Sequence, residues 1–192
     1  MTSNVQKDPY KRILTIPNLL SMFRVVLVGV FGYIYWTSKS QSDYYLAFGV
    51  LVLSGITDFL DGKIARHFNM ITELGKVLDP IADKLTQAMV ACCLALHYGP
   101  MKLLFLVLFI KEWTQGIYGM YAVKKAGYNN GALLCGKITT FYLYAMMALL
   151  LLVPGLPVAI SWSLIFIGIG LLLWSFVSYL LLFRKMVREA KN

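Results

Sequence analysis

Charge is scarce in this chain. Aspartate and glutamate together number nine, and charged residues of all kinds make up 14% of the 192 residues, against about 25% in a soluble domain. With 59% of residues hydrophobic, that scarcity excludes a water-soluble globular protein and predicts life in a bilayer. Cysteine is also sparse: Cys92, Cys93 and Cys135 are odd in number and show no zinc-type spacing, so they read as small buried hydrophobes. The long Leu/Val/Ile/Phe runs lack the alternation of a membrane barrel strand. A spanning segment must satisfy its backbone internally, which leaves helices. No linker, low-complexity tract or repeat divides residues 1–192, and a single membrane domain is expected.

A span needs roughly 20 mainly apolar residues. Six stretches qualify: Leu19 to Trp36, Tyr44 to Ala65, Lys76 to Leu96, Leu103 to Ala122, Leu133 to Val153 and Val158 to Phe183. The predicted fold is therefore all-α and integral to the membrane, with six transmembrane helices. Ahead of them, Thr2 to Leu14 mixes Lys7, Lys11 and Arg12 with Val5, Tyr10, Ile13 and Leu14, the composition of a short amphipathic helix on the membrane surface. Six spans put both termini on one side. Sixteen of the 18 Lys and Arg residues then fall with them, leaving Lys39 and Lys102 opposite, and the positive-inside rule makes that side cytoplasmic. The first run has no cleavage site after it and reads as an uncleaved span. The expected location is the inner (plasma) membrane of a bacterium. The net charge of +9 follows from this topology and from attraction to lipid headgroups, so nucleic acid is not an expected partner.

Into this apolar background the chain sets Asp58-x-x-Asp61-Gly62-x-x-Ala65-Arg66-x8-Gly75-x3-Asp79-x3-Asp83. Carboxylates are expensive near lipid and are kept where they bind ions or do chemistry. On a helix Asp58, Asp61, Gly62 and Ala65 share one face, and Gly75, Asp79 and Asp83 share one face of the next. A short connection makes the two helices antiparallel neighbours, so four carboxylates can converge at the cytoplasmic surface. Unrelieved, they would repel one another. An all-oxygen set favours Mg²⁺, Mn²⁺ or Ca²⁺ over zinc, and two such ions would clamp the oxygens of a pyrophosphate. Gly62, Ala65 and Gly75 keep those faces open for a ligand, and Arg66 is suited to a bidentate grip on phosphate. Pro80 leaves two starts for the third helix: Asp79 as N-cap, or a start near Thr72 with Pro80 inside.

The string Asp58-Phe59-Leu60-Asp61-Gly62-Lys63-Ile64-Ala65-Arg66, followed by Gly75, Asp79 and Asp83, resembles the signature of the CDP-alcohol phosphatidyltransferase family with no position missing. The resemblance implies a six-helix membrane enzyme, usually a homodimer, that transfers a phosphatidyl group from CDP-diacylglycerol to an alcohol and releases CMP. It further implies that Asp58, Asp61, Asp79 and Asp83 hold two Mg²⁺ or Mn²⁺ ions. Asp83 would double as the general base, and Gly62, Ala65, Arg66, Thr72 and Gly75 would receive the CDP moiety.

For the acceptor, Ile16-Pro17-Asn18-Leu19-Leu20-Ser21-Met22-Phe23-Arg24 resembles the opening of the family's bacterial phosphatidylglycerophosphate synthases and equally that of its cardiolipin synthases. Gly136 to Thr140 is similar to their fifth-helix start, whereas Lys111-Glu112 stands where they commonly carry Arg-Glu. The expected acceptor is glycerol 3-phosphate, with phosphatidylglycerol as the alternative. A dianionic acceptor needs positive charge, for which Lys111, Lys137 and Arg24 are the candidates; each could instead snorkel toward headgroups. His67, beside Arg66, is either a phosphate contact or a solvated loop residue. A remoter reading makes the carboxylates part of a divalent-cation path, although all four cluster at one end of two helices.

Overall fold

In the computed structural model, residues 15–68, 72–128, 131 and 133–190 are described, without the side chains of Arg66, Glu73 and Lys76. All regular structure among the described residues is helical: α1 (Ile16–Thr37), α2 (Gln41–His67), α3 (Glu73–Leu94), α4 (Gly99–Ala126), α5 (Leu134–Leu152) and α6 (Val158–Glu189). The surface helix expected over Thr2 to Leu14 lies outside the described residues. By length and composition α1, α2 as far as Ala65, α5 and α6 are able to cross a membrane. The other two predicted spans fall short of that mark because α3 carries Asp79, Asp83 and Lys84 and α4 carries Lys111 and Glu112 mid-length. Large apolar side chains face outward throughout, Trp36 at 78% exposure and Phe141 at 77% among them. Water would not tolerate so much exposed apolar surface, and lipid does. The fold is an all-helical membrane fold.

The helices group into two compact units, Met1–Met89 and Val90–Asn192. In the first, Thr15 caps α1 by accepting a hydrogen bond from the Asn18 N–H at 3.5 Å, and Pro17 sits in the opening turn, where its missing N–H costs nothing. α1 packs along α2, with the Tyr35 ring edge-on to Tyr44, and Leu27, Val28, Phe31 and Tyr35 of α1 are buried. Asp43 fastens the start of α2 by accepting from the Ser40 N–H at 2.9 Å and the Lys39 N–H at 2.8 Å, two donors the helix would otherwise leave unpaired.

The third helix starts at Glu73, with Pro80 inside it, so the second of the two expected starts is the one adopted. The reason lies in Thr72, whose Oγ1 accepts from the Gly75 N–H at 2.9 Å and so supplies the N-cap.

In the second unit, α6 packs against both α4 and α5. Glycine permits the α4 contact: a Cβ on Gly119 would lie 3.0 Å from the Phe183 ring, and one on Gly168 would lie 3.1 Å from Leu104. Ala122, Phe183 and Met186 form a buried cluster beside Gly119. The α5 contact is tied by the Tyr142 hydroxyl, which donates to the Leu164 carbonyl at 2.9 Å. α4 ends at Gly127, whose φ of 76° is a left-handed cap that glycine adopts without strain.

Candidate active site

Three of the four signature carboxylates meet at one side chain. Arg24, eight residues into α1, is 1% exposed, and its guanidinium reaches both neighbouring helices. Nη2 donates to Asp61 Oδ2 at 2.5 Å and lies 2.6 Å from Asp58 Oδ1, while Nη1 donates to Asp83 Oδ1 at 2.7 Å. These distances are those of charge-assisted hydrogen bonds. The fourth carboxylate, Asp79, is held one turn further down α1 by Ser21, whose Oγ lies 2.5 Å from Asp79 Oδ1 and 3.0 Å from the Pro17 carbonyl. A hydroxyl has one proton to give, and the shorter, charged partner takes it. One turn further again, the Thr72 hydroxyl donates to Asn18 Oδ1 at 2.9 Å.

Asn18, Ser21 and Arg24 thus form a polar stripe at intervals of three along α1, each about 1% exposed. Residues three apart lie near one another on a helix face, so α1 forms a third wall to the site. The sequence reading set Arg24 aside for the acceptor and took Asn18 and Ser21 only as part of a resemblance. The signal was present in their spacing: three polar residues in phase within an otherwise apolar run.

Burial grades the site. Asp61 is 2% exposed, whereas the side chains of Asp58 and Asp83 are about half exposed, at 48% and 52%. The carboxylates therefore have a closed end at Asp61 and an open one at Asp58 and Asp83. Gly62 and Ala65 are half-buried on α2. The Arg66 side chain lies outside the described residues. At Gly75 a Cβ would come 2.8 Å from Asn18 Oδ1 and 3.1 Å from Thr72 Oγ1, so this glycine also lets Asn18 of α1 and the Thr72 cap approach closely. His67 is exposed on an open hollow with Lys63, Ile64 and Phe68.

The other acceptor candidates lie in the second unit. Lys111 is buried, with its ammonium 2.8 Å from Glu112 Oε1, and Lys137 is exposed on the first turn of α5.

The donors suit a hard divalent cation. All are carboxylate oxygens, set one turn apart on each of two helices, and a single guanidinium cannot neutralise four of them. Among the described residues, no three acidic, His or Cys side chains already stand as ligands around one point; three carboxylates turn instead to the guanidinium. A metal ion bound here would take oxygens from Asp58, Asp61, Asp79 and Asp83.

Four aspartates gathered on helices with apolar outer faces suit chemistry on a phosphate ester of a lipid. Residues 14–178 match the family model described as CDP-alcohol phosphatidyltransferase, and the chain belongs to that family. It is 34% identical over 197 residues to the "Cardiolipin synthase (CMP-forming)" of Streptomyces coelicolor, covering 97% of this chain and 89% of the relative. To the "CDP-diacylglycerol--glycerol-3-phosphate 3-phosphatidyltransferase" of Shigella flexneri it is 28% identical over 176 residues, covering 86% and 92%. A "Putative cardiolipin synthase" of Mycobacterium tuberculosis is 27% identical over 195 residues, covering 93% and 87%. The protein is a CMP-releasing transferase of phospholipid biosynthesis, from a family that uses divalent metal ions and, in its relatives, CDP-diacylglycerol with an alcohol acceptor.

Proposed function

We propose that the enzyme passes the phosphatidyl group of CDP-diacylglycerol to the primary hydroxyl of a glycerol phosphate compound, and that this acceptor is phosphatidylglycerol, giving cardiolipin and CMP. Similarity to the Streptomyces enzyme along almost the whole chain supports this reading. The observation that carries it is the state of the cations. Of the three set aside for a dianionic acceptor, Lys111 is buried with its charge engaged by Glu112, and Arg24 is buried on the aspartate side of α1. Phosphatidylglycerol carries one negative charge and asks less of such a site than glycerol 3-phosphate does. The second reading, glycerol 3-phosphate as acceptor with phosphatidylglycerophosphate as product, is supported by the Shigella relative and by exposed Lys137.

In either case the acceptor oxygen attacks the phosphatidyl phosphorus, and the bond from that phosphorus to the bridging oxygen breaks. Its electron pair leaves with CMP. Asp83, half exposed at the open end of the cluster, takes the hydroxyl proton as general base. Asp58, Asp61 and Asp79, with Asp83, hold two Mg²⁺ or Mn²⁺ ions, which when bound offset the negative charge growing on the pyrophosphate. Gly62 and Ala65, with Arg66, Thr72 and Gly75, receive the CDP moiety, and the acyl chains remain in the bilayer. The active face and both termini are cytoplasmic, in the bacterial plasma membrane. The 192 residues act as one domain, and the working form is a homodimer.

The test is CMP release from CDP-diacylglycerol by purified protein with Mn²⁺ and each acceptor in turn. Release with phosphatidylglycerol alone is expected; release with glycerol 3-phosphate alone would install the second reading. Treatment with a chelator should abolish release, and added Mg²⁺ or Mn²⁺ should restore it.

A further inference from the structure

Arg24 stands apart from the other cations of the chain. It is carried by a helix with no acidic residue of its own, is almost wholly buried, and spends both terminal nitrogens on carboxylates from two other helices. Its Nε, equally buried, has no hydrogen-bond partner among the described residues. A buried donor left unpaired is costly. The side chain is thus drawn to this spot by the carboxylates, at the expense of its own full satisfaction. Its two terminal nitrogens take oxygens of Asp58, Asp61 and Asp83, the same carboxylates that a bound cation would call on.

We propose that Arg24 is a positioning residue that serves as a built-in counter-ion for the metal-ligand aspartates. It gathers them in the metal-free protein and competes with divalent cations for their oxygens. The inference rests on reading these aspartates as metal ligands. Its physical basis is reciprocity: two cations that need the same carboxylate oxygens each weaken the binding of the other. Arginine suits the task because its planar fork presents several donors at fixed angles and remains charged at any relevant pH. One guanidinium here bridges two helices, which a lysine ammonium, a single point, would do less well. Competition keeps the site assembled yet limits how tightly metal is held. Ser21 extends the arrangement to Asp79 through a neutral hydroxyl, and so positions that carboxylate without competing for it.

The test uses the full-length protein in lipid nanodiscs, purified in Mn²⁺ and then stripped with a chelator. Mn²⁺ binding is read by electron paramagnetic resonance without CDP-diacylglycerol, and thermal unfolding is followed with and without Mn²⁺. Arg24→Gln should bind Mn²⁺ at least tenfold more tightly than the parent protein. Its metal-free unfolding temperature should be lower by several degrees, and saturating Mn²⁺ should close most of that gap. Arg24→Lys should fall between the two in Mn²⁺ affinity; if the glutamine variant does not survive stripping, the lysine variant decides. Mn²⁺ affinity equal to or weaker than that of the parent in a folded Arg24 variant would overturn the competition. A purely structural arginine would lower the unfolding temperature and leave Mn²⁺ affinity where it was. Asp61→Asn is the control for the underlying reading: if it binds Mn²⁺ as the parent does, the ligand assignment fails as well.

Discussion

Gly75→Ala distinguishes two reasons for a glycine in the signature. If the residue is there to admit the nucleotide, a methyl group should obstruct CDP-diacylglycerol and leave the apoprotein unharmed. The structure points to a cost within the protein. The new Cβ would lie 2.8 Å from Asn18 Oδ1, more than half an ångström inside ordinary contact, and 3.1 Å from Thr72 Oγ1. Both atoms are committed. Asn18 is buried and accepts from Thr72, and Thr72 in turn caps α3. Pushing them apart costs about 1–3 kcal/mol as overpacking, and a loosened hydrogen bond adds about 1 kcal/mol. Replacing glycine in a helix returns at most about 1 kcal/mol, and less in the first turn. The net loss is about 1–3 kcal/mol, or roughly 2–4 °C in unfolding temperature for each kcal/mol in a chain of this size. Unfolding of metal-free protein in detergent measures it. In an Asn18→Ala background the closer of the two contacts is gone and the one to Thr72 remains, so the same Gly75→Ala change should cost less, a coupling of about 0.5–3 kcal/mol in a double-mutant cycle. An unchanged unfolding temperature together with a raised KM for CDP-diacylglycerol would refute the packing argument and restore the glycine to the nucleotide.

Other expectations are more compact. Asp83→Asn should leave CDP-diacylglycerol binding largely intact and reduce turnover by about 10²-fold or more, as loss of a general base does; Asp58→Asn and Asp61→Asn should weaken metal-dependent binding too, and near-normal CMP release from all three would show the roles to be wrong. Gly119→Ala should lower the unfolding temperature, since its Cβ meets the Phe183 ring at 3.0 Å, whereas Gly116→Ala on the same helix meets nothing within 4 Å and should be neutral or stabilising by up to about 1 kcal/mol. Asp43→Ala removes the acceptor for two N–H groups at the start of α2 and should cost about 1 kcal/mol, visible as a small drop in unfolding temperature with CMP release unaltered.

Much of the fold was legible because the bilayer imposes so few choices. Length and apolarity alone delimit α1, α2, α5 and α6. The cap at Thr72 was one of two readings left open by Pro80, and only a hydrogen bond to Gly75 decides between them. What α1 does was harder to see. Sequence periodicity reports which residues share a face, but not what that face meets, so Arg24 read as spare charge when its counter-ions were 34, 37 and 59 residues away along the chain. The neighbour of Gly75 was hidden for the same reason, because Asn18 comes from α1. Arg66, central to the expected nucleotide grip, has no described side chain.

The buried guanidinium also bears on how the chain is made. A ribosome delivers α1 to the membrane before α2 or α3 exists, and an arginine within a lone inserted helix costs about 2.5–3.5 kcal/mol at mid-bilayer and less toward its edge. Until Asp58, Asp61 and Asp83 emerge, α1 must therefore remain shallow or sheltered by the insertion machinery. The three aspartates that hold Arg24 would then be the latch that draws the first helix to its final depth, tying insertion of α1 to the arrival of α2 and α3.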